Sequence, residues 1–177
     1  MLRMDEVTIR LILRVTARIS FVFCLGAFVS GALQIFWPGK FAAWLSRNCD
    51  RFLIILGISH LVHLIAVTSL AVTIGWQPFI KEISYIVLVG GNIIFLLTYA
   101  VALAALARQM HWNWSLAHSP RFESFALYAI MVDFTGGFVT RIPTSMLYVV
   151  PSGIAIAAIA LRIAAHFRRA RTASATA

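Results

Sequence analysis

FLIILGISHLVHLIAVTSLAVTIGW, residues 52–76, runs for 25 positions without an Asp, Glu, Lys or Arg. About 20 predominantly apolar residues carry a helix across the hydrocarbon core of a bilayer, so this stretch is long enough to span it. Two histidines, His60 and His63, stand near its middle. In lipid every backbone N–H and C=O must be paired inside the protein, which leaves helices or closed barrels. The two-residue alternation of a barrel strand is absent, and a helix remains.

Working outward, four more apolar runs appear, at about 19–37, 83–107, 122–140 and 144–165. Pro38, Pro78, Pro120 and Pro143 fall at the joints, where a missing N–H costs least. Pro151 lies inside the last run and is expected to bend it. The fold class that follows is all-α: a polytopic integral membrane bundle of about five transmembrane helices. Residues 1–18 read as a basic amphipathic segment, 19–169 as the bundle and 170–177 as a disordered tail. The run 19–37 is longer than a signal-peptide core and lacks a convincing small-x-small cleavage site, so it reads as a retained span. With 61% hydrophobic residues and a mean hydropathy of +0.89, 177 residues leave no room for a soluble domain beside five spans.

A net charge of +9 would suggest nucleic acid in a soluble chain. Here the charges fall almost entirely between or outside the apolar runs, so they mark topology and lipid headgroups, with no nucleic-acid partner implied. Nine Lys and Arg lie on the side of the C-terminus and six on the other. The positive-inside rule then places the C-terminus in the cytoplasm of a bacterial-type inner membrane.

Ionisable side chains at bilayer depth are costly and mark functional sites. Imidazoles three residues apart share a helix face. Counting inward at 1.5 Å per residue, His60 and His63 lie roughly 13 and 18 Å beyond Arg51. Met131 and Asp133, on the fourth run, lie roughly 15 and 18 Å beyond Arg121. A His/Met pair facing across a bundle is one way to hold heme iron. Asp133 could orient a ligating imidazole, or join His60 and His63 in the proton path of a small carrier. The plainer alternatives are interhelical hydrogen bonds for the histidines and core packing for Met131. His118, in the Trp-rich loop 111–118, reads either as a solvated interfacial histidine or as a ligand to a second heme. Cys24 and Cys49 have no CxxC or metal spacing. Phosphate-loop, dinucleotide, zincin and esterase motifs are absent, so an electron donor would be a separate redox protein or a quinone.

The order of these features resembles the ferric reductase-like transmembrane family, in particular its bacterial heme-binding membrane subunits. The likeness rests on TARISFVFCLGAF (16–28), on Arg51 before the second span with His63 after it, on Trp114 and His118 in W-x-x-x-H spacing, and on the basic end LRIAAHFRR (161–169). It departs where the family expects a histidine 13 residues after the one matching His118, since Met131 stands there. The resemblance implies a heme b between the second and fourth spans and electron passage across the membrane. His63 would be an axial ligand, Met131 or His60 its partner, His118 a possible second site, and Asp133 a supporting group. A heme-free membrane interaction or assembly subunit is the main alternative.

Overall fold

The computed structural model describes residues 5–83 and 85–175, with side chains at 85–87 and 173–175 left aside. Seven helices form among the described residues, and no strand: α1 (Glu6–Phe36), α2 (Lys40–Arg47), α3 (Cys49–Ile74), α4 (Trp76–Ile83), α5 (Tyr85–Gln109), α6 (Pro120–Val139) and α7 (Val149–Ala175). Five of them, α1, α3, α5, α6 and α7, are long and apolar enough to cross a membrane. The chain is a multi-pass membrane protein. Large apolar side chains such as Val22, Ile58, Ile65, Leu96 and Phe125 face outward, where lipid replaces water as the surrounding solvent. Trp37, Trp44, Trp112 and, at the opposite end, Trp76 are exposed near the helix ends, as interfacial rings are.

The long helices alternate in direction and close into a ring in the order α1, α3, α5, α6, α7, with α1 also touching α6 across the middle. Their inner faces make one core of Phe21, Phe28, Leu53, Leu56, Ile130 and Met131 among others. Helix joints follow local chemistry. Ser119 accepts from the Phe122 amide at 3.3 Å and Pro120 opens α6, the favoured cap and first-turn residues. Gly75, at φ +86°, ends α3 in a conformation that strains any side chain.

Three local expectations change. Residues 6–18 are not a separate segment but the first turns of α1: Ile9 is buried with Ala66, Leu70 and Phe79, while Arg14 and Arg18 stay exposed. Residues 170–175 continue α7 rather than forming a disordered tail, and 176–177 lie outside the described residues. Pro151 falls in the first turn of α7, where its absent N–H and fixed φ disturb no helical bond, so it has no bend to impose.

Ion pairs lace the two ends unequally. At the C-terminal end, Arg108 of α5 reaches Asp50 of α3 at 2.5 Å and Glu123 of α6 at 2.9 Å, and donates to the Ala117 carbonyl. At the N-terminal end, Arg10 forks onto Glu82 of α4 at 2.5 and 2.9 Å, and this bond holds the Glu82 carboxyl below its usual range. Replacing Arg108 by Gln leaves two carboxylates facing each other without a counter-ion. Because all three groups are partly exposed, the expected loss is about 1–2 kcal/mol, below that of a fully buried pair. A lower unfolding midpoint in detergent, recovered at high salt, is the readout.

Candidate functional site

The inner face of α3 carries a polar seam against α1. Ser20 and Ser59 hydroxyls meet at 2.7 Å, and one turn further Thr16 Oγ1 lies 2.8 Å from His63 Nδ1. The directions can be assigned from what each hydroxyl already does. Thr16 donates its proton to the Ile12 carbonyl at 2.8 Å, so its oxygen accepts from His63 Nδ1–H. With Nδ1 protonated, the neutral ring carries its lone pair on Nε2. By the same logic Ser59 donates to the Leu56 carbonyl at 2.9 Å and accepts from Ser20. Each such bond between helices in a membrane contributes about 0.6 kcal/mol on average, up to about 1.7.

His60 differs. Its ring is 7% exposed and its Nδ1 is buried with no hydrogen-bond partner. Phe95 of α5 meets it edge-on with centroids 5.1 Å apart, and Phe134 of α6 at 6.0 Å. His63 also stacks on Phe95, at 6.1 Å, and the two imidazole centroids are 5.9 Å apart, so the three rings form a compact triangle. Thr98 Oγ1 and Tyr99 Oη, also on α5, are likewise buried without a partner, and Tyr99 stacks on Phe95. Most buried polar atoms in proteins are satisfied, so three orphans on the facing surfaces of α3 and α5 single out this level of the bundle.

The remaining sequence candidates sit elsewhere. Met131 is fully buried in the core, one turn before Phe134. Asp133 projects from the outer surface of α6 and has no hydrogen bond or ion pair among the described residues. Arg141, two turns on, lies over the Tyr148 ring instead. His118 is exposed, in a single 3₁₀ turn (Ser115–His118) at the C-terminal end. The fold therefore gathers His60 and His63, buries Met131 in the core one turn before Phe134, and leaves Asp133 and His118 exposed. Thr16, Phe95, Phe134, Thr98 and Tyr99 complete the site and escaped the sequence reading.

Two imidazoles, one of them hydrogen-bonded through Nδ1, are metal-type donors at this level, with the Phe95 and Phe134 rings packed against His60. A ligating imidazole normally has its second nitrogen fixed by a hydrogen bond, which sets the tautomer, and Thr16 does this for His63. Two imidazoles from one helix face cannot grip an iron from opposite sides, so a second donor would have to come from another helix; α6 reaches His60 through Phe134, and Met131 lies one turn before it. Among the described residues no three His, Cys, Asp or Glu side chains converge; an iron already held by porphyrin nitrogens needs only one or two protein donors. No protein-family model, curated protein or solved structure matches this chain.

Proposed function

We propose that this chain is a membrane-embedded electron-transfer subunit of ferric reductase-like type that binds a heme b at the His63 level. The observation that carries the reading is the 2.8 Å hydrogen bond between Thr16 Oγ1 and His63 Nδ1: with the Thr16 proton given to the Ile12 carbonyl, Nδ1 is the protonated nitrogen and Nε2 keeps the lone pair a metal would need. Bound there, heme would supply a one-electron carrier between a donor and an acceptor on opposite faces. His63 Nε2 would ligate, with Thr16 orienting the ring; His60, on the same face of α3, cannot supply the opposite donor, so that role would fall to a residue of another helix, Met131 of α6 being the candidate. Phe95 and Phe134 provide flat apolar walls that keep water from the site. The chain carries no nucleotide-binding motif, so its electrons come from a redox partner protein or a quinone. The C-terminus faces the cytoplasm by the basic-residue count.

The test is a pyridine hemochrome assay on protein purified after heme-replete expression. Near-stoichiometric heme b supports the reading, and colourless protein overturns it. Thr16→Val gives a second handle: about tenfold weaker heme retention, since partners behind a metal ligand contribute 10–100-fold in affinity, with only about 1 kcal/mol of fold stability lost. A heme titration of the purified variant separates the two effects.

A heme-free membrane interaction or assembly subunit is the second reading, and one observation favours it. The rings of Phe95 and Phe134 lie directly against His60, so the aromatic packing is already closed around the imidazoles. Under that reading Thr16→Val alters stability alone.

A further inference from the structure

At the C-terminal end a separate cavity of about 220 Å³ opens between α1, α6 and α7. Arg162, His166 and Arg169 all line it, and their four- and three-residue steps place them on one face of α7. Arg162 has no ion-pair partner among the described residues. Its guanidinium is pinned by donation to the Phe28 carbonyl at 2.9 Å and the Ser124 hydroxyl at 3.3 Å, and by the Phe28 and Tyr128 rings beneath it at 4.6 and 5.2 Å. Glu123 is the one carboxylate in the lining, and Arg108 already holds it at 2.9 Å.

This half-buried, pre-oriented guanidinium sits over two aromatic rings beside a second arginine, and the one carboxylate of the lining, Glu123, is ion-paired to Arg108 and not to Arg162. Five N–H donors in a rigid fork suit a tetrahedral oxyanion. The space exceeds what one water occupies many times over. Arg162 lies six residues, roughly 9 Å, inside Arg168 along α7, the depth at which basic pockets between membrane helices take lipid phosphates. We propose that this cavity binds a net-anionic phosphate group, one not already neutralised by a cation on the same molecule, with Arg162 as the fixed donor and Arg169 closing over it. Arg169 is exposed and held only by a 3.3 Å bond to the Gly31 carbonyl, so it can turn inward without cost to the fold. This site is independent of the heme reading.

The full chain in nanodiscs of phosphatidylcholine, with and without phosphatidylglycerol, provides the test, read by lipid retention in native mass spectrometry and by melting temperature. Wild type is expected to retain phosphatidylglycerol over phosphatidylcholine. Arg169→Gln lowers that preference about fivefold, the worth of one basic side chain at the surface, with melting in phosphatidylcholine unchanged. Arg162→Gln lowers it further, and Arg162→Lys, which keeps the charge but loses the fork, falls between and serves if the Gln variant does not fold. Arg168→Gln is the control, because that guanidinium lies over Phe36 and outside the lining. Inorganic phosphate added to phosphatidylcholine discs separates the sources: stabilisation there that Arg169→Gln removes supports a free anion, and its absence alongside phosphatidylglycerol retention supports a lipid headgroup. Equal retention of both lipids with no response to phosphate overturns the proposal, as does a preference that Arg168→Gln weakens as much as Arg169→Gln.

Discussion

His63→Ala is expected to strip the purified protein of most of its heme absorbance, at least tenfold in heme per chain. The reason lies in the pairing behind the ring. His63 is the one imidazole of the bundle whose Nδ1–H is committed, to Thr16, so its Nε2 is the donor with a set direction. His60→Ala removes an imidazole whose Nδ1 is unpartnered and whose ring is held by aromatic contacts; its heme loss should be smaller. Reduced-minus-oxidised spectra of the two variants check the order. A His63→Ala protein that keeps its full spectrum would remove His63 as ligand, and a larger loss in His60→Ala would transfer the role to that residue.

Gly57→Leu should splay the bundle where α3 meets α5. A Cβ built at Gly57 would stand 2.5 Å from the Ala102 Cβ, closer than two carbons can approach. Gly57 has no slack to offer: it is buried in α3, and Ala102 is already nearly the smallest side chain. The cost is that of overpacking, about 1–3 kcal/mol and more if the backbones cannot part. The clash lies one turn from His60, so separation of α3 from α5 also draws His60 away from Phe95. Ala102→Gly in the same chain should restore much of the loss, and a double-mutant cycle on melting in detergent would measure the coupling. Equal stability of Gly57→Leu and wild type would contradict the close packing of these helices.

Much of the architecture was legible because charge and proline interrupt the apolar runs at the joints. The start of α1 was not: Arg10, Arg14 and Arg18 depress hydropathy over residues 6–18, although Ile9 and Thr16 face inward and the arginines do not. Beginning the first span at Ile19 hid the partner of His63. Yet a signal was present, since Thr16 and Ser20 repeat the four-residue step of Ser59 and His63, as two antiparallel helices facing each other require. The outward position of Asp133 could also have been read. Leu127, Ile130, Met131, Phe134 and Phe138 trace the apolar stripe of α6, and Asp133 falls off it. What no sequence pattern conveys is the aromatic packing of Phe95 and Phe134 around His60, which depends on how three helices are rotated against one another.

The unequal lacing of the two ends has a mechanical consequence. Arg108 clamps three helices together at one rim and Arg162 with Arg169 ties α7 to α1 nearby, whereas at the other rim a single fork, Arg10 on Glu82, is the ionic tie between elements among the described residues. The barrel of helices is thus stiff at its base and compliant at its mouth, like tongs held at the hinge.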